Sequence, residues 1–183
     1  MLSSDFLAEF KRVTELNWST CSIDPRIYGF QFQPGTRWNP GLSDQKITEY
    51  EKVLGIQFPN DFRALLSFMN GTDLPTLNVY GSSGHPSRES VGIYSYPRDL
   101  ETVRGRIEDA NENRAELTAT MQDQGFDLAI DAGLMPIFAH RYIICTTDLE
   151  RSVVLSIHHS SDAIVYGTSL QEYLENEFLK SRF

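Results

Sequence analysis

Residues 42–71 carry two successive runs in which apolar side chains recur at the spacing of an α-helix. Positions that share one face fall three, four or seven residues apart, which predicts amphipathic helices with one side to bury. The apolar positions of the two runs are Ile47, Tyr50 and Leu54, followed by Phe62, Leu65, Leu66 and Met69. The segment therefore predicts a pair of helices that each pack by one face.

The residues that flank both runs favour helix ends. Ser43 is a good N-cap, since its hydroxyl can accept a free N–H of the first turn. Gly55 follows the first helix at the position where a left-handed residue commonly ends one. Pro59 suits the first turn of the second helix because it has no N–H to leave unpaired. Asn70 and Gly71, which both tolerate positive φ, are expected to end that helix.

Periodicity also predicts elements on both sides of the helix pair. A helix over residues 4–16 is expected to begin at Ser4, and a closing helix to begin after Ser169. Residues 98–124 predict one long charged helix, or two helices broken at the polar stretch 108–113. The predicted strands, rich in Val, Ile and Tyr, cover residues 27–32, 74–80, 91–96, 141–146, 152–157 and 163–166.

Short connections between the later strands indicate the fold class. Residues 148–151 and 159–162 are typical of hairpin turns, and residues 81–90, rich in glycine and serine, predict a flexible connection. Turns of this length require antiparallel pairing. Helices, then short strands, then a closing helix predict an α+β fold in which an antiparallel sheet packs one face against helices. At 183 residues the chain, 1–183, is expected to form a single domain.

The charge of the chain narrows the classes of partner. The net charge is −9 and the sequence pI is about 4.9. Such a surface repels the phosphate backbone, so we expect no direct nucleic-acid binding. It favours a partner with a basic surface. An alternative interpretation remains open, in which the acidity serves only solubility.

The termini and cysteines indicate an ordinary cytoplasmic protein. The first residues lack the basic start and apolar core of a signal peptide, and no run reaches the ~18 apolar residues that span a bilayer. We therefore expect no membrane partner. Cys145 lies in the apolar run 142–145 and is better explained as a small buried hydrophobe than as a nucleophile.

No catalytic or metal-binding motif stands out in the sequence. His158, His159 and Asp162 come nearest to a metal cluster, but adjacent histidines on a strand point to opposite faces. Cys-x-x-Cys, His-Glu-x-x-His and Gly-x-Ser-x-Gly patterns do not occur. The prediction is a protein without catalytic residues, metal ligands or cofactor.

Two acidic residues of the helix pair have structural explanations. Asp61 lies early in its helix, where a negative charge favours the positive end of the helix dipole. Glu51 lies near the apolar face of the first helix. We expect Glu51 to meet Arg63 or a backbone N–H.

The helix pair resembles the SUKH superfamily. The residues that carry the resemblance there are Trp38, Gly41, Leu42, Ser43, Glu51, Leu54, Gly55, Pro59, Asp61, Phe62, Arg63, Asn70 and Gly71. Near the end of the chain it resumes at residues 134–137, 164–167 and 169–174. The resemblance covers roughly residues 38–80 and 134–180. Residues 1–37 and 97–125 depart from the pattern, so they are expected to be an N-terminal extension and a helical insertion of a single SUKH-like domain.

The resemblance implies a non-enzymatic protein that binds other proteins. Bacterial members of the superfamily are commonly immunity proteins, which bind and neutralise a cognate toxin, often a nuclease. An intracellular regulatory or scaffold protein, as in the fungal members, is the alternative. A small-ligand-binding protein or an uncharacterised enzyme is a third interpretation.

Aromatic and acidic residues near the predicted strands are candidates for the partner-binding face. Aromatic side chains anchor protein interfaces, and acidic loops suit a basic toxin. A role in filling and edging the core is the competing explanation for the tyrosines. The predicted contact residues are Tyr80, Tyr94, Asp148, Glu150 and Asp162.

Overall fold

The fold combines helices with antiparallel sheets, as the sequence predicts. The structure is a computed structural model that describes residues 2–79 and 86–180, with the backbone alone for residues 86–90. Its helices are α1 (Ser4–Thr20), α2 (Asp44–Leu54), α3 (Asn60–Phe68), α4 (Leu100–Glu112), α5 (Arg114–Asp123) and α6 (Leu170–Leu174), the last continued by a π-helical turn over Glu175–Lys180. Its strands are β1 (Gly29–Gln31), β2 (Trp38–Pro40), β3 (Met69–Thr72), β4 (Thr76–Val79), β5 (Pro86–Ser90), β6 (Gly133–Phe138), β7 (Arg141–Cys145), β8 (Val154–His159) and β9 (Asp162–Gly167).

The helix pair begins and ends close to the predicted residues. The Ser43 hydroxyl accepts the Lys46 N–H at 3.3 Å, and Gly55 closes α2 in the left-handed region with φ of 67°. Pro59 is the N-cap of α3 rather than a residue of its first turn. The other predicted helices form as well, but α1 is capped by Ser3 instead of Ser4 and runs on to Thr20.

The second helix of the pair ends earlier than predicted, and Asn70 and Gly71 belong to β3. The Asn70 side chain replaces a strand partner there, because its amide donates to Tyr96 O at 2.7 Å and accepts from Tyr96 N at 2.9 Å. Gly71 has φ of 66°, and a Cβ at this position would lie 2.7 Å from Tyr94 O. The Asn-Gly pair therefore lets the chain pass close to residues 94–96.

All strand pairs in the described residues are antiparallel, and they form three sheets. The largest has the order β6-β7-β8-β9, built from consecutive strands. A three-stranded sheet has the order β1-β4-β5, and β2 pairs with β3. The predicted hairpin turn at residues 159–162 joins β8 to β9.

Helices cover both faces of the four-stranded sheet. Alternate side chains such as Met135, Ile143 and Val154 join the main core with α1, α2, α3 and α6. The side chains between them, Leu134 and Leu155 among others, form a second core with Leu117 and Met121 of α5 and with Ala110 of α4. The sequence predicted helices on one face of the sheet only, and residues 100–123 form the second helical layer. These residues break into two helices at Asn113, which agrees with one of the two alternatives predicted for this segment.

One predicted strand near the middle of the chain is wrong, and a later strand was not predicted. Residues 91–96 do not form a strand; β4 pairs instead with β5 in the segment predicted as a flexible connection. Their apolar pattern reflects burial of Ile93, Tyr94 and Tyr96 against the core. No strand was predicted at residues 133–138, where Pro136 is tolerated because β6 lies at the edge of its sheet.

Candidate functional site

Two of the predicted contact residues lie together on the loop between β7 and β8. Asp148 and Glu150 are both exposed. The loop is fixed to the start of α3, since Asn60 N donates to Leu149 O at 2.8 Å and Asn60 Nδ2 donates to Glu150 Oε1 at 2.6 Å. This loop therefore presents its carboxylates from a defined position.

The other predicted contact residues do not join this loop. Asp162, the first residue of β9, is exposed at the opposite end of the six-residue strand β8, about 20 Å away at the usual rise per residue. Tyr94 is 6% exposed, and its hydroxyl donates to Ala139 O at 3.0 Å, which gives it a place in the core. Tyr80 lies outside the described residues. A contact role for Asp148, Glu150 and Asp162 stays a prediction.

An acidic surface on α4 and α5 was not singled out from the sequence. Residues 98–131 hold nine acidic and four basic residues, so this stretch contributes more than half of the net charge. Glu108, Asp109 and Glu112 are exposed on α4 and form no ion pair with the described residues. Glu116 on α5 accepts a hydrogen bond from Ser160 in the β8–β9 turn, which brings Asp162 beside this surface. We call the exposed carboxylates of residues 108–116 the acidic layer; the uneven charge along the chain was the signal for it.

Glu51 and Asp61 hold the fold together, as expected. Arg63 Nη1 donates to Glu51 Oε2, and Phe58 N donates to Glu51 Oε1 at 2.8 Å, so both expected partners are present. Asp61 accepts from Leu2 N at 2.7 Å and from the Ser152 hydroxyl at 2.8 Å. It thereby ties the start of the chain to α3 and to the segment before β8.

A cleft of about 540 Å³ lies between residues 20–32 and the β6–β7 turn. Aromatic rings form its wall: Phe30 and Phe32 pack on Phe138 with centroid distances of 5.9 and 5.7 Å, and Trp18 stacks on Phe32 at 4.4 Å. Ile27 and Tyr28, 49% and 63% exposed, stand at its rim. The volume falls in the range of ~300–1,000 Å³ that is typical of ligand sites.

The cleft is polar at one end, where His140, Arg141 and Glu177 meet. Arg141 Nε and Glu177 Oε2 form a buried ion pair at 3.5 Å, and neither atom has a hydrogen-bond partner among the described residues. Burial, with the nearby charges of Arg141 and His158, lowers the pKa of His140 to about 4. This imidazole is therefore neutral at pH 7.

No group of residues that could hold a metal ion is found in the part of the chain that the structure describes, and Cys21 and Cys145 are both free thiols. His158 stacks on His140 at 5.3 Å, whereas the His159 ring meets the Ser161 hydroxyl, so the two histidines diverge as the strand geometry predicts. Burial raises the pKa of the Cys145 thiol to about 12, which leaves little thiolate at neutral pH. Within the same residues, no helix has the length and apolar character needed to cross a bilayer.

Comparison with known proteins gives the family. A search of curated proteins found no match, and a search of solved structures found none either. The model of the SMI1 / KNR4 family (SUKH-1) matches residues 41–176, a range that begins before α2 and reaches the π-helical turn after α6. This match covers most of the chain. It includes helices α2 to α6 and all of the four-stranded sheet, and it leaves out α1. The chain belongs to the SMI1 / KNR4 (SUKH-1) family.

Proposed function

We propose that this protein is a non-enzymatic immunity protein that neutralises a cognate bacterial toxin by direct binding. Membership of a family of immunity and regulatory proteins is the observation that carries the proposal. Such a protein needs a rigid scaffold and a complementary surface, and it needs no reacting group.

The acidic layer supports a toxin with a basic surface. Its carboxylates lie on two consecutive helices that are fixed by the second core, so their spacing is set before binding. Complementary charge of this kind speeds association and excludes wrong partners. A nuclease is one class of toxin with a basic surface, since it must bind phosphate.

A rescue experiment tests the proposed function. The product of a toxin gene adjacent to the gene for this protein is expressed with and without it, and binding of the two purified proteins is measured by calorimetry. We expect survival only when both are expressed, together with a 1:1 complex. Death despite co-expression, or survival that does not require this protein, would contradict the proposal. Binding without rescue would favour the regulatory members of the family as the better comparison.

Charge removal on the acidic layer tests the proposed surface. The triple variant Glu108→Gln, Asp109→Asn, Glu112→Gln removes three exposed negative charges from α4. We expect a slower association rate and a weaker salt dependence of binding. The control variant adds three positive charges at exposed positions of α1, so that its net charge changes by as much as that of the test variant. Its substitutions are Ala8→Lys, Asn17→Lys and Ser19→Lys. Equal effects of both variants would mean that only the overall charge matters.

The predicted loop residues are a second region for the same measurement. Asp148→Asn with Glu150→Gln changes one end of the four-stranded sheet, and Asp162→Asn changes the other. An interface centred on one end of this sheet is expected to lose more affinity with the variant at that end than with the variant about 20 Å away, because binding energy concentrates near the centre of an interface. Unchanged affinity in both would exclude these residues from the interface.

A further inference from the structure

The cleft beside His140 combines features of a preformed ligand site that the proposed function does not use. Its outer wall, residues 21–32, is held by internal hydrogen bonds. Gln31 Nε2 donates to Asp24 O at 2.8 Å and to Ile27 O at 2.6 Å, while Gln31 Oε1 accepts from Asp24 N at 2.9 Å. The Cys21 thiol bonds to Trp18 O and Phe32 O, both at 3.3 Å. An occupant would meet an ordered wall and would not have to order it.

The polar end of the cleft offers both a donor and an acceptor. Arg141 Nη1 contacts His140 Nε2, and a guanidinium can only donate, so Nε2 accepts and the ring proton of the neutral imidazole is on Nδ1. Nδ1–H has no hydrogen-bond partner among the described residues. Glu177 Oε2, which is ion-paired with Arg141 Nε at 3.5 Å, accepts no hydrogen bond from the described residues. A molecule with a matching acceptor and donor on one edge would bond to both atoms, and at the buried Glu177 Oε2 such a bond would offset a cost of burial.

The charges around the cleft compensate one another. Arg141 faces Glu177, and Asp24 is paired with Arg26 at 2.7 Å. With His140 neutral, no surplus charge is left to bind an anion or a cation. Trp18, Phe32 and Phe138 are almost fully buried. The exposed ring of Tyr28 and the partly exposed ring of Phe30 are therefore the part of the cleft that favours a flat π-system, which packs well against aromatic rings.

We propose that this cleft binds an uncharged, flat heteroaromatic molecule of the nucleobase class. The ring packs on the aromatic wall, and its polar edge accepts from His140 Nδ1–H and donates to Glu177 Oε2. This site is independent of the proposed toxin-binding surface, since the acidic layer belongs to other helices.

Titration with simple bases tests the site. Adenine and uracil are added to the full chain, and binding is followed by NMR chemical shifts and by the fluorescence of Trp18, which lines the cleft. Indole, which has a donor but no ring acceptor, is the matched ligand control. We expect at least one base to bind tenfold more tightly than indole, with shifts centred on the residues of the wall. No binding by either base, or indole binding as tightly, would overturn the proposal.

Two variants locate the binding. His140→Phe keeps a ring but removes the donor, and Ser22→Trp fills the mouth of the cleft from an exposed position. Each is expected to weaken base binding at least tenfold. Ser19→Trp, at an exposed position of α1 that does not line the cleft, is expected to leave it unchanged. Far-UV circular dichroism of each variant verifies folding. Unchanged affinity in Ser22→Trp would place the base elsewhere and overturn the proposal.

Discussion

At the scale of single residues, Glu51 connects sequence to fold most directly. Its carboxylate is 13% exposed and bonds to Arg63 of α3 and to the Phe58 N–H of the connection between α2 and α3. One side chain therefore fixes both the angle between the two helices and the path of the turn that joins them. A charge-assisted hydrogen bond that is mostly shielded from solvent contributes more to stability than an exposed ion pair does.

Replacement of Glu51 by alanine tests this role. Glu51→Ala leaves the Phe58 N–H and the Arg63 guanidinium without their partner, so we expect a loss of about 2–4 kcal/mol in the free energy of unfolding. Urea denaturation measures the change. The control is Glu9→Ala, which breaks the Glu9–Arg12 ion pair on the exposed side of α1 and should leave the midpoint unchanged. Equal losses in the two variants would show that the Glu51 contacts stabilise the fold no more than an exposed ion pair does.

At the scale of elements, α4 and α5 explain why the four-stranded sheet is apolar on both faces. Side chains that point away from the main core, such as Tyr142, Ile144 and Leu155, are buried by these helices. An antiparallel sheet commonly exposes one face to solvent, whereas here the layer formed by α4 and α5 covers that face as well. The same helices carry the acidic layer on their outer side. On each helix, one face therefore packs against the sheet and the opposite face carries the surface charge.

Truncation of a buried residue in α5 tests the packing of this layer. Leu117 is fully buried, and Leu117→Ala removes its side chain from the second core. We expect a loss of about 2–5 kcal/mol in the free energy of unfolding, since such changes leave a cavity. Leu16→Ala is the matched control, because Leu16 is 57% exposed on α1, and it should change stability by less than about 0.5 kcal/mol. A small effect of Leu117→Ala would mean that α5 contributes little to the fold.

At the scale of the whole molecule, the fold keeps His140 neutral between charged neighbours. Arg141, His158 and Arg106 disfavour a positive charge there, whereas Asp162 favours it, and burial is the largest cause of the lowered pKa. In the unfolded chain the histidine titrates near 6.5. Because the folded-state pKa is lower, the unfolded state binds more protons between pH 6.5 and pH 4, and acid therefore favours unfolding.

The pH dependence of stability tests this coupling. The contribution of His140 is complete above pH 6.5 and is lost as the pH falls toward 4; since the ring is only half-buried, we expect a loss on the order of 1 kcal/mol between pH 7 and pH 5. Urea denaturation at several pH values measures it. His140→Gln should flatten this slope whatever its stability at pH 7, because the substituted side chain does not titrate. An unchanged slope would assign the pH dependence to other groups.

The sequence by itself determined the local features of this protein. Ser43, Gly55 and Ser169 mark helix ends because capping depends on a few neighbouring residues, and each is found at its cap position. The antiparallel pairing of β8 with β9 follows from a short turn, and the family resemblance follows from the ordered residues of the helix pair.

Only the tertiary structure decided the features that depend on contacts between residues far apart in the sequence. A pattern of apolar side chains reports burial, and residues 92–96 are buried although they contribute an isolated bridge, from Ile93 to Phe138, rather than a strand. The sequence cannot state that Tyr94 turns into the core. The same holds for the cleft, whose wall and polar end come from residues more than 100 positions apart and meet only when the chain has folded.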